Sequence, residues 1–166
     1  MNPKLSFTLA IVLSGAFGFL PSSSAQSAAA AAAQAERQQV RQAAESWLAS
    51  MDSGKHSDTW HALSASASAK VNEVKWASAF EKTNKEFGAR EGRQFKDQHL
   101  FKKAQSQDQD FYLVEYQSVS VLRGALREIV RVVKDDDGTW RVAGYTVEPQ
   151  HPGGDDDDEG GDRGQK

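Results

Sequence analysis

The chain has 166 residues, no cysteine and a formal net charge of −3 at pH 7. That length holds one domain, and the lack of cysteine excludes disulfides, thiol catalysis and cysteine-based zinc sites. Residues 26–148 carry 17 acidic and 17 basic side chains, so this part of the chain is neutral and lacks the basic surface that nucleic-acid binding needs.

The first 25 residues have the three parts of a secretory signal peptide. Lys4 gives a positive start, residues 5–20 form an apolar run, and small residues place the cleavage site after Ala25, with Ala28 as the alternative. An uncleaved membrane anchor is the competing interpretation, but the run is shorter than the roughly 20 residues that span a bilayer. The sequence therefore predicts an exported protein, periplasmic or secreted, with no membrane insertion after signal cleavage.

An alanine-rich segment follows the predicted signal peptide and runs into a helix. Residues 26–35 are predicted as a flexible lead, and residues 36–148 as a single domain. Apolar residues from Val40 to Met51 recur at helical spacing and form one stripe. The helix is predicted to end at Asp52, because a glycine follows two residues later.

Two shorter helices and four strands complete the predicted domain. The second helix begins with Ser57 as its N-cap, and a connector of small residues, 64–69, separates it from the third. After Gly92 the pattern changes to the alternation of half-buried strands, rich in Val, Ile, Tyr, Phe and Trp. The predicted helices cover residues 57–63 and about 72–87, and the predicted strands cover 93–104, 110–122, 125–134 and 139–148.

This order of elements predicts an α+β fold, in which N-terminal helices pack on a curved four-stranded antiparallel sheet. The tail, residues 149–166, contains glycine and acids but no apolar residue, and is predicted to be disordered. Its acidic run, Asp155 to Glu159, is interpreted as a solvating tail rather than as a site for cations or a basic partner.

Asp135, Asp136 and Asp137 precede Gly138 between the last two predicted strands. An Asp-Gly pair in this position is a strong hairpin signal, because glycine adopts the positive φ that a tight turn needs. A calcium loop would need an oxygen ligand where Val133 stands. The cluster is therefore predicted to be a turn and not a metal site.

The length of this turn decides which face of the last hairpin carries each side chain. A three-residue loop with a bulge puts Val130 and Val132 on the face of Trp140 and Val142. A loop of two or four residues puts them on the face of Arg141. The first arrangement gives a continuous apolar face and is favoured, since a slip of one residue reverses every side chain.

Glu128 is the main candidate for acid–base chemistry, because it interrupts an apolar alternation on what looks like the buried face. The competing interpretation is structural. Buried carboxylates usually have a partner, and Arg93, Arg127 and Arg141 are all candidates for that partner.

His99 and His61 are the weaker acid–base candidates. His56 and His61 are five residues apart, whereas a metal pair on one helical face needs a spacing of four, and His151 belongs to the tail. No nucleophile elbow or phosphate loop is present. The sequence therefore predicts no metal site and no cofactor.

Several aromatic residues are candidates for lining a ligand pocket together with Glu128. Aromatic residues at helical and strand periods are more often part of the core, and that is the favoured interpretation. The pocket candidates are Trp47, Trp60, Trp76, Tyr116, Glu128 and Tyr145.

The stretches "SWLASMDSGK" and "DGTWRVAGY", with Trp60, Trp76, Gly88, Arg93 and Tyr116 between them, resemble a bacterial family of exported proteins catalogued as domain of unknown function 4019. The resemblance spans roughly residues 40–147 and implies no activity. The order of elements is also similar to the cone-shaped fold of nuclear transport factor two. That similarity implies a site at the mouth between the concave sheet and the helices.

The sequence therefore predicts an exported, non-catalytic domain that binds an unknown small molecule or an envelope protein. The alternative is a pocket enzyme of the dehydratase or isomerase type that uses Glu128 with His99 or His61. A homodimer formed through the outer face of the sheet is a third hypothesis.

Overall fold

The computed structural model describes residues 23–103 and 109–150. In these residues the helices come first and the strands follow, which confirms the predicted α+β order. The elements are α1 (Ser23–Asp52), α2 (His56–His61), α3 (Ala65–Ser68), α4 (Glu73–Phe87), β1 (Arg90–Phe101), β2 (Phe111–Ser120), β3 (Gly124–Lys134) and β4 (Trp140–Pro149). The predicted signal sequence up to residue 22 and the acidic tail from residue 151 lie outside the described residues.

The strands form one antiparallel sheet in the order β1-β2-β3-β4, with each strand next to its neighbour in sequence. The helices cover one face of the sheet, called the inner face here, and the opposite face is called the outer face. Side chains alternate between the two faces along β2, so Tyr112, Val114 and Tyr116 point inward and are buried.

The core lies between α1 and the inner face. The predicted apolar stripe of the first helix is confirmed, since Val40, Ala44, Trp47, Leu48 and Met51 are all buried. The same cluster contains Leu63, Phe80, Tyr112, Val114, Tyr116, Val130, Val132 and Val142.

The first helix is longer than predicted. It begins at Ser23, so residues 26–35, predicted as a flexible lead, are helical and carry exposed side chains, and burial begins with Glu36 and Val40 as the helix approaches the core. Alanine has the highest intrinsic helix propensity, which explains why the helix continues beyond the part that packs on the sheet.

The predicted third helix is confirmed as α4, and the Asn72 side chain caps it by accepting a hydrogen bond from the Lys75 amide at 2.9 Å. Two other predictions were wrong. Ser57 lies inside α2 and does not cap it, because its hydroxyl donates to Glu73 instead. The predicted connector contains α3, which is capped by Ser64.

The turn between β3 and β4 has the favoured three-residue loop. The Asp135 amide donates to Thr139 O at 2.9 Å, and the Gly138 amide donates back to Asp135 O at 2.8 Å. Gly138 has a φ of 80°, which favours glycine at this position. As expected for that loop, Val142 lies opposite Val132 on the inner face.

A bulge then changes the register of β4. Arg131 pairs with Gly144 while Val132 pairs with Val142, so Ala143 has no partner of its own. Beyond this point Tyr145 lies opposite Val130 and points inward. Regular alternation from Val142 would have turned Tyr145 to the outer face.

Candidate functional site

Glu128 lies in the middle of the inner face and its side chain is fully buried. Arg93 donates two hydrogen bonds to it, from Nε to Oε1 at 3.0 Å and from Nη2 to Oε2 at 2.9 Å. The Tyr145 hydroxyl donates to Oε2 at 2.6 Å. Both carboxylate oxygens are therefore occupied by donors from β1 and β4.

Arg93 faces inward because it lies two residues before Phe95, which pairs with the inward Tyr116. The pairing of β1 with β2 shifts between Glu91 and Gln94, so Arg90, three residues before Arg93, faces inward as well. The Arg93 guanidinium also contacts Asp52, the last residue of α1, with Nη2 donating to Oδ1 at 3.2 Å. Arg93 therefore joins the end of α1 to the centre of the sheet.

Arg90 is a second buried arginine beside the same carboxylate. Its Nε lies 3.8 Å from Glu128 Oε2, and its side chain is 3% exposed. Nη1 donates to Asn84 at 3.2 Å, whereas Nε and Nη2 make no hydrogen bond to the described part of the chain. Arg90 therefore acts on Glu128 mainly through its charge.

The protonation states of this group follow from their surroundings. Burial opposes ionisation of Glu128, but the hydrogen bonds and the charge of Arg93 outweigh it, so the pKa of the carboxyl is below its ordinary value. Burial raises the pKa of the Tyr145 phenol, and the Glu128 charge raises it further. Glu128 is thus an anion and Tyr145 a neutral donor. The name "inner cluster" is used below for Asp52, Arg90, Arg93, Glu128 and Tyr145.

Of the arginines considered as partners for Glu128, only Arg93 fills that role. Arg127 projects from the outer face and bridges Glu115 at 2.8 Å and Glu148 at 3.3 Å. Arg141 binds the carboxylates of Asp135 and Asp137 in the β3–β4 turn. Sequence reasoning missed Arg90 and the Arg93–Asp52 contact, because neither belongs to a periodic pattern and Asp52 is 41 residues from Arg93.

The structure brings the aromatic pocket candidates together, but in a filled interior. The Trp47 ring lies 5.6 Å from the Tyr145 ring and 6.0 Å from the Trp76 ring, measured between centroids. Trp60 packs against this core and donates from Nε1 to Val71 O at 2.9 Å. Tyr116 lies opposite Glu128 on β2. These residues therefore occupy the space in which an interior pocket would lie.

The two histidines named as acid–base candidates lie apart from Glu128. His99 is on the outer face, 66% exposed, with Nε2 2.7 Å from Asp97. His61 is the last residue of α2, is exposed, and contacts the Trp60 ring. Within the described ranges no three side chains of the metal-binding types come together as a metal site.

A cleft of about 320 Å³ lies beside the inner cluster, between the ends of α1 and α4 and the start of β1. Asp52, Asn84 and Arg90 supply its polar side chains, and Gly54 and Gly88 also line it. The two unpaired nitrogens of Arg90 are covered by protein atoms. A molecule in the cleft therefore does not reach them in this conformation.

The end of β2 and the turn that follows it expose apolar side chains near this cleft. Val119, Val121 and Leu122 are 53%, 64% and 61% exposed. They are called the apolar tip below. Val121 and Leu122 lie close enough to Gly88 that a Cβ added there would stand 3.0 Å from each of them.

Comparison with protein-family models identifies the family of this chain. Residues 43–145 match the family described as "Protein of unknown function (DUF4019)". The chain belongs to this family. No curated protein and no solved structure matches it.

The part of the chain that matches the DUF4019 family runs from the middle of α1 to Tyr145 on β4. It therefore contains every member of the inner cluster and the whole apolar tip. In the described residues of this DUF4019 domain, no helix is long and apolar enough to cross a membrane.

Proposed function

We propose that this chain is an exported, non-catalytic domain that acts by binding another protein of the cell envelope. The observation that carries this proposal is the state of Glu128. Its carboxylate is fully buried and both oxygens accept hydrogen bonds from Arg93 or Tyr145. A general base must reach the proton that it removes, and this carboxylate has no free oxygen facing a substrate.

The enzyme alternative has no support from the arrangement of its other candidates. His99 faces away from Glu128 on the other side of the sheet, and the exposed His61 ends α2. An acid–base pair must act on one substrate, so these residues do not form a working pair.

Binding of a protein is favoured over binding of a small molecule for two reasons. The interior that could hold a small ligand is filled by the Trp47, Trp76 and Tyr145 rings. The apolar tip, in contrast, is exposed, and exposed apolar groups clustered on a surface are typical of interaction sites.

Two features of the proposal rest on the sequence. Export rests on the signal peptide pattern of residues 1–25. A cone-shaped arrangement similar to nuclear transport factor two rests on the order of helices and antiparallel strands, and its mouth would lie at the end of the sheet that carries the cleft.

The first experiment is native mass spectrometry of the protein purified from the cells that produce it. We expect the mass of the bare chain without residues 1–25. A fixed additional mass, removed by denaturation, would contradict the proposal and identify a bound small molecule.

A second experiment separates catalysis from stability. Glu128→Gln and Val130→Ala are introduced in cells that lack the natural gene, since Val130 is buried in the same strand but carries no chemistry. We expect any loss of the cellular phenotype to follow the amount of folded protein in both variants. Loss of function in Glu128→Gln at normal folded amounts would favour the enzyme.

A further inference from the structure

We infer that the apolar tip, residues Val119, Val121 and Leu122, is the docking surface of this domain, and that its partner is a protein segment in which apolar residues are flanked by lysine or arginine. This inference rests on the proposed function and names the surface and the chemistry of the partner. It depends on three observations about the end of the sheet.

The first observation is where the exposed apolar side chains lie. Five large apolar side chains in the described residues are exposed, and three of them form the apolar tip. The other two, Val74 on α4 and Phe101 at the end of β1, belong to other elements, and Phe101 stacks on Phe111 at 5.1 Å. This concentration at the end of β2 and in the turn after it therefore distinguishes this surface from the rest of the described residues.

The second observation is that the turn is held in place. The Ser120 hydroxyl donates to Phe87 O and accepts hydrogen bonds from the amides of Leu122, at 3.0 Å, and Arg123, at 2.9 Å. Gly88, directly after α4, allows Val121 and Leu122 to approach the backbone closely. A surface that is already ordered loses little conformational entropy on binding, so its exposed side chains favour recognition.

The third observation concerns charge. Gln150, the last described residue, donates from its amide to Ala125 O at 2.9 Å, and its side chain bonds to Gln117. Ala125 pairs with Val119, so the segment that follows Gln150 starts beside the apolar tip. Residues 151–166 carry six acidic and two basic side chains. The first of these acids, Asp155, is within about 18 Å of extended chain from Gln150.

The combination of an apolar surface and an acidic sequence that follows Gln150 selects the partner. A cationic segment is attracted by the acids, which also speeds its encounter with the surface. An anionic membrane is repelled by the same acids. A second copy of the chain would bring two acidic segments together. A basic, partly apolar protein segment is therefore the occupant that fits.

The test uses the full chain and a labelled synthetic peptide that forms an amphipathic helix, with leucines on one face and lysines on the other. Affinity is measured by fluorescence anisotropy at low and high salt. Two control peptides replace either the leucines by serine or the lysines by glutamate. The key variant is Val121→Ser with Leu122→Ser, and the matched control is Val74→Ser, because Val74 is 76% exposed on α4.

We expect the leucine–lysine peptide to bind the natural chain more tightly than either control peptide. The double variant at the tip should lose about tenfold or more of that affinity, and Val74→Ser should lose none. Replacing Asp155, Asp156, Asp157 and Asp158 by asparagine should weaken binding and reduce its salt dependence. Should the double variant fail to fold, Val119→Ser tests the same surface.

Three results would overturn this inference. The first is equal binding of the peptide to the natural chain and the tip variant. The second is binding to vesicles of anionic lipid that depends on the tip, and the third is a concentration-dependent dimer that the tip variant abolishes. None of these results depends on the native mass spectrum or on the phenotype of Glu128→Gln. Failure of the docking inference is therefore distinguishable from failure of the proposed function.

Discussion

The molecule contains two groups of carboxylates bound to arginine, and they differ mainly in burial. In the inner cluster the Glu128 side chain is fully buried beside Arg93, which is 17% exposed. At the β3–β4 turn Arg141 donates from Nη1 to Asp135 at 3.0 Å and from Nη2 to Asp137 at 2.7 Å, and the Asp137 side chain is 54% exposed.

The hydrogen bonds of the two groups are similar in number and length, so bond geometry does not distinguish their effects on stability. Water replaces a lost partner at the turn, whereas nothing replaces it inside the inner cluster. We therefore expect equivalent substitutions to have large effects in the inner cluster and small effects at the turn.

The largest effect is expected for Glu128→Ala. This change leaves Arg93 and the Tyr145 hydroxyl without their shared acceptor and Arg90 without the negative charge beside it. Breaking a buried pair in this way costs about 3–5 kcal/mol of unfolding free energy. Urea denaturation followed by tryptophan fluorescence measures it. A loss no greater than that of Asp137→Asn would show that burial does not separate the two groups.

Arg93→Met is expected to cost somewhat less, about 3 kcal/mol, because Arg90 and Tyr145 remain beside Glu128. The pH dependence of this loss of unfolding free energy tests the role of Arg93 more directly than the size of the loss. In the natural chain the Glu128 pKa is lowered from 4.5, so its contribution to stability is complete above that pH and is lost as the pH falls through the folded pKa.

Without Arg93, we expect burial to outweigh the remaining hydrogen bonds and to raise the pKa of Glu128 above its ordinary value. The contribution of this group then has the opposite sign, since it is present below pH 4.5 and is lost as the pH rises through the folded pKa. Urea denaturation between about pH 4 and pH 7 should show that the difference in unfolding free energy between the natural chain and the variant becomes smaller as the pH falls. A constant difference across this range would contradict the assignment of Arg93 as the main partner.

Tyr145→Phe is expected to have a smaller effect, about 1.5 kcal/mol, because it removes one hydrogen bond to a carboxylate that keeps two others. Thermal unfolding of the variant and of Glu128→Ala with Tyr145→Phe measures the coupling. If the effects of the two changes simply add, the phenol does not act through Glu128.

The smallest effect is expected for Asp137→Asn. The Arg141 hydrogen bond and the Thr139 amide lower the pKa of Asp137, so its contribution is present at neutral pH and is lost as the pH falls. Its side chain is exposed, and salt screens the pair. We expect an unfolding midpoint close to that of the natural chain at high salt, and a large loss there would contradict the comparison.

The sequence predicts the fold well where periodicity is strong. The stripe from Val40 to Met51, the helix capped by Asn72 and the three-residue turn at Gly138 are all confirmed. Each depends on local rules of spacing, capping or turn chemistry. The cap at Ser57 was wrong because the serine hydroxyl found a tertiary partner, Glu73, which no local rule contains.

The inner cluster could be predicted only in part. Glu128 stands out because it interrupts an apolar alternation, and Arg127 could be set aside because consecutive strand residues face opposite sides of a sheet. The three-residue turn at Gly138 already places Arg141 on the outer face, opposite Val133. The inward position of Arg93 depends on the register of β1, which no periodic pattern shows. Arg90 and Asp52 reach the cluster through the tertiary arrangement of β1 and the end of α1, so sequence spacing alone gave no sign of them.

The unpaired residue Ala143 changes which side chains of β4 face the inner side of the sheet. Even-numbered residues, Trp140 and Val142, face inward before it, and odd-numbered residues, Tyr145 and Val147, face inward after it. A substitution at Ala143 keeps this arrangement, whereas deletion of the residue exchanges the two faces of everything that follows in the strand. The presence of an extra residue at position 143, more than its identity, therefore determines whether the Tyr145 hydroxyl reaches Glu128.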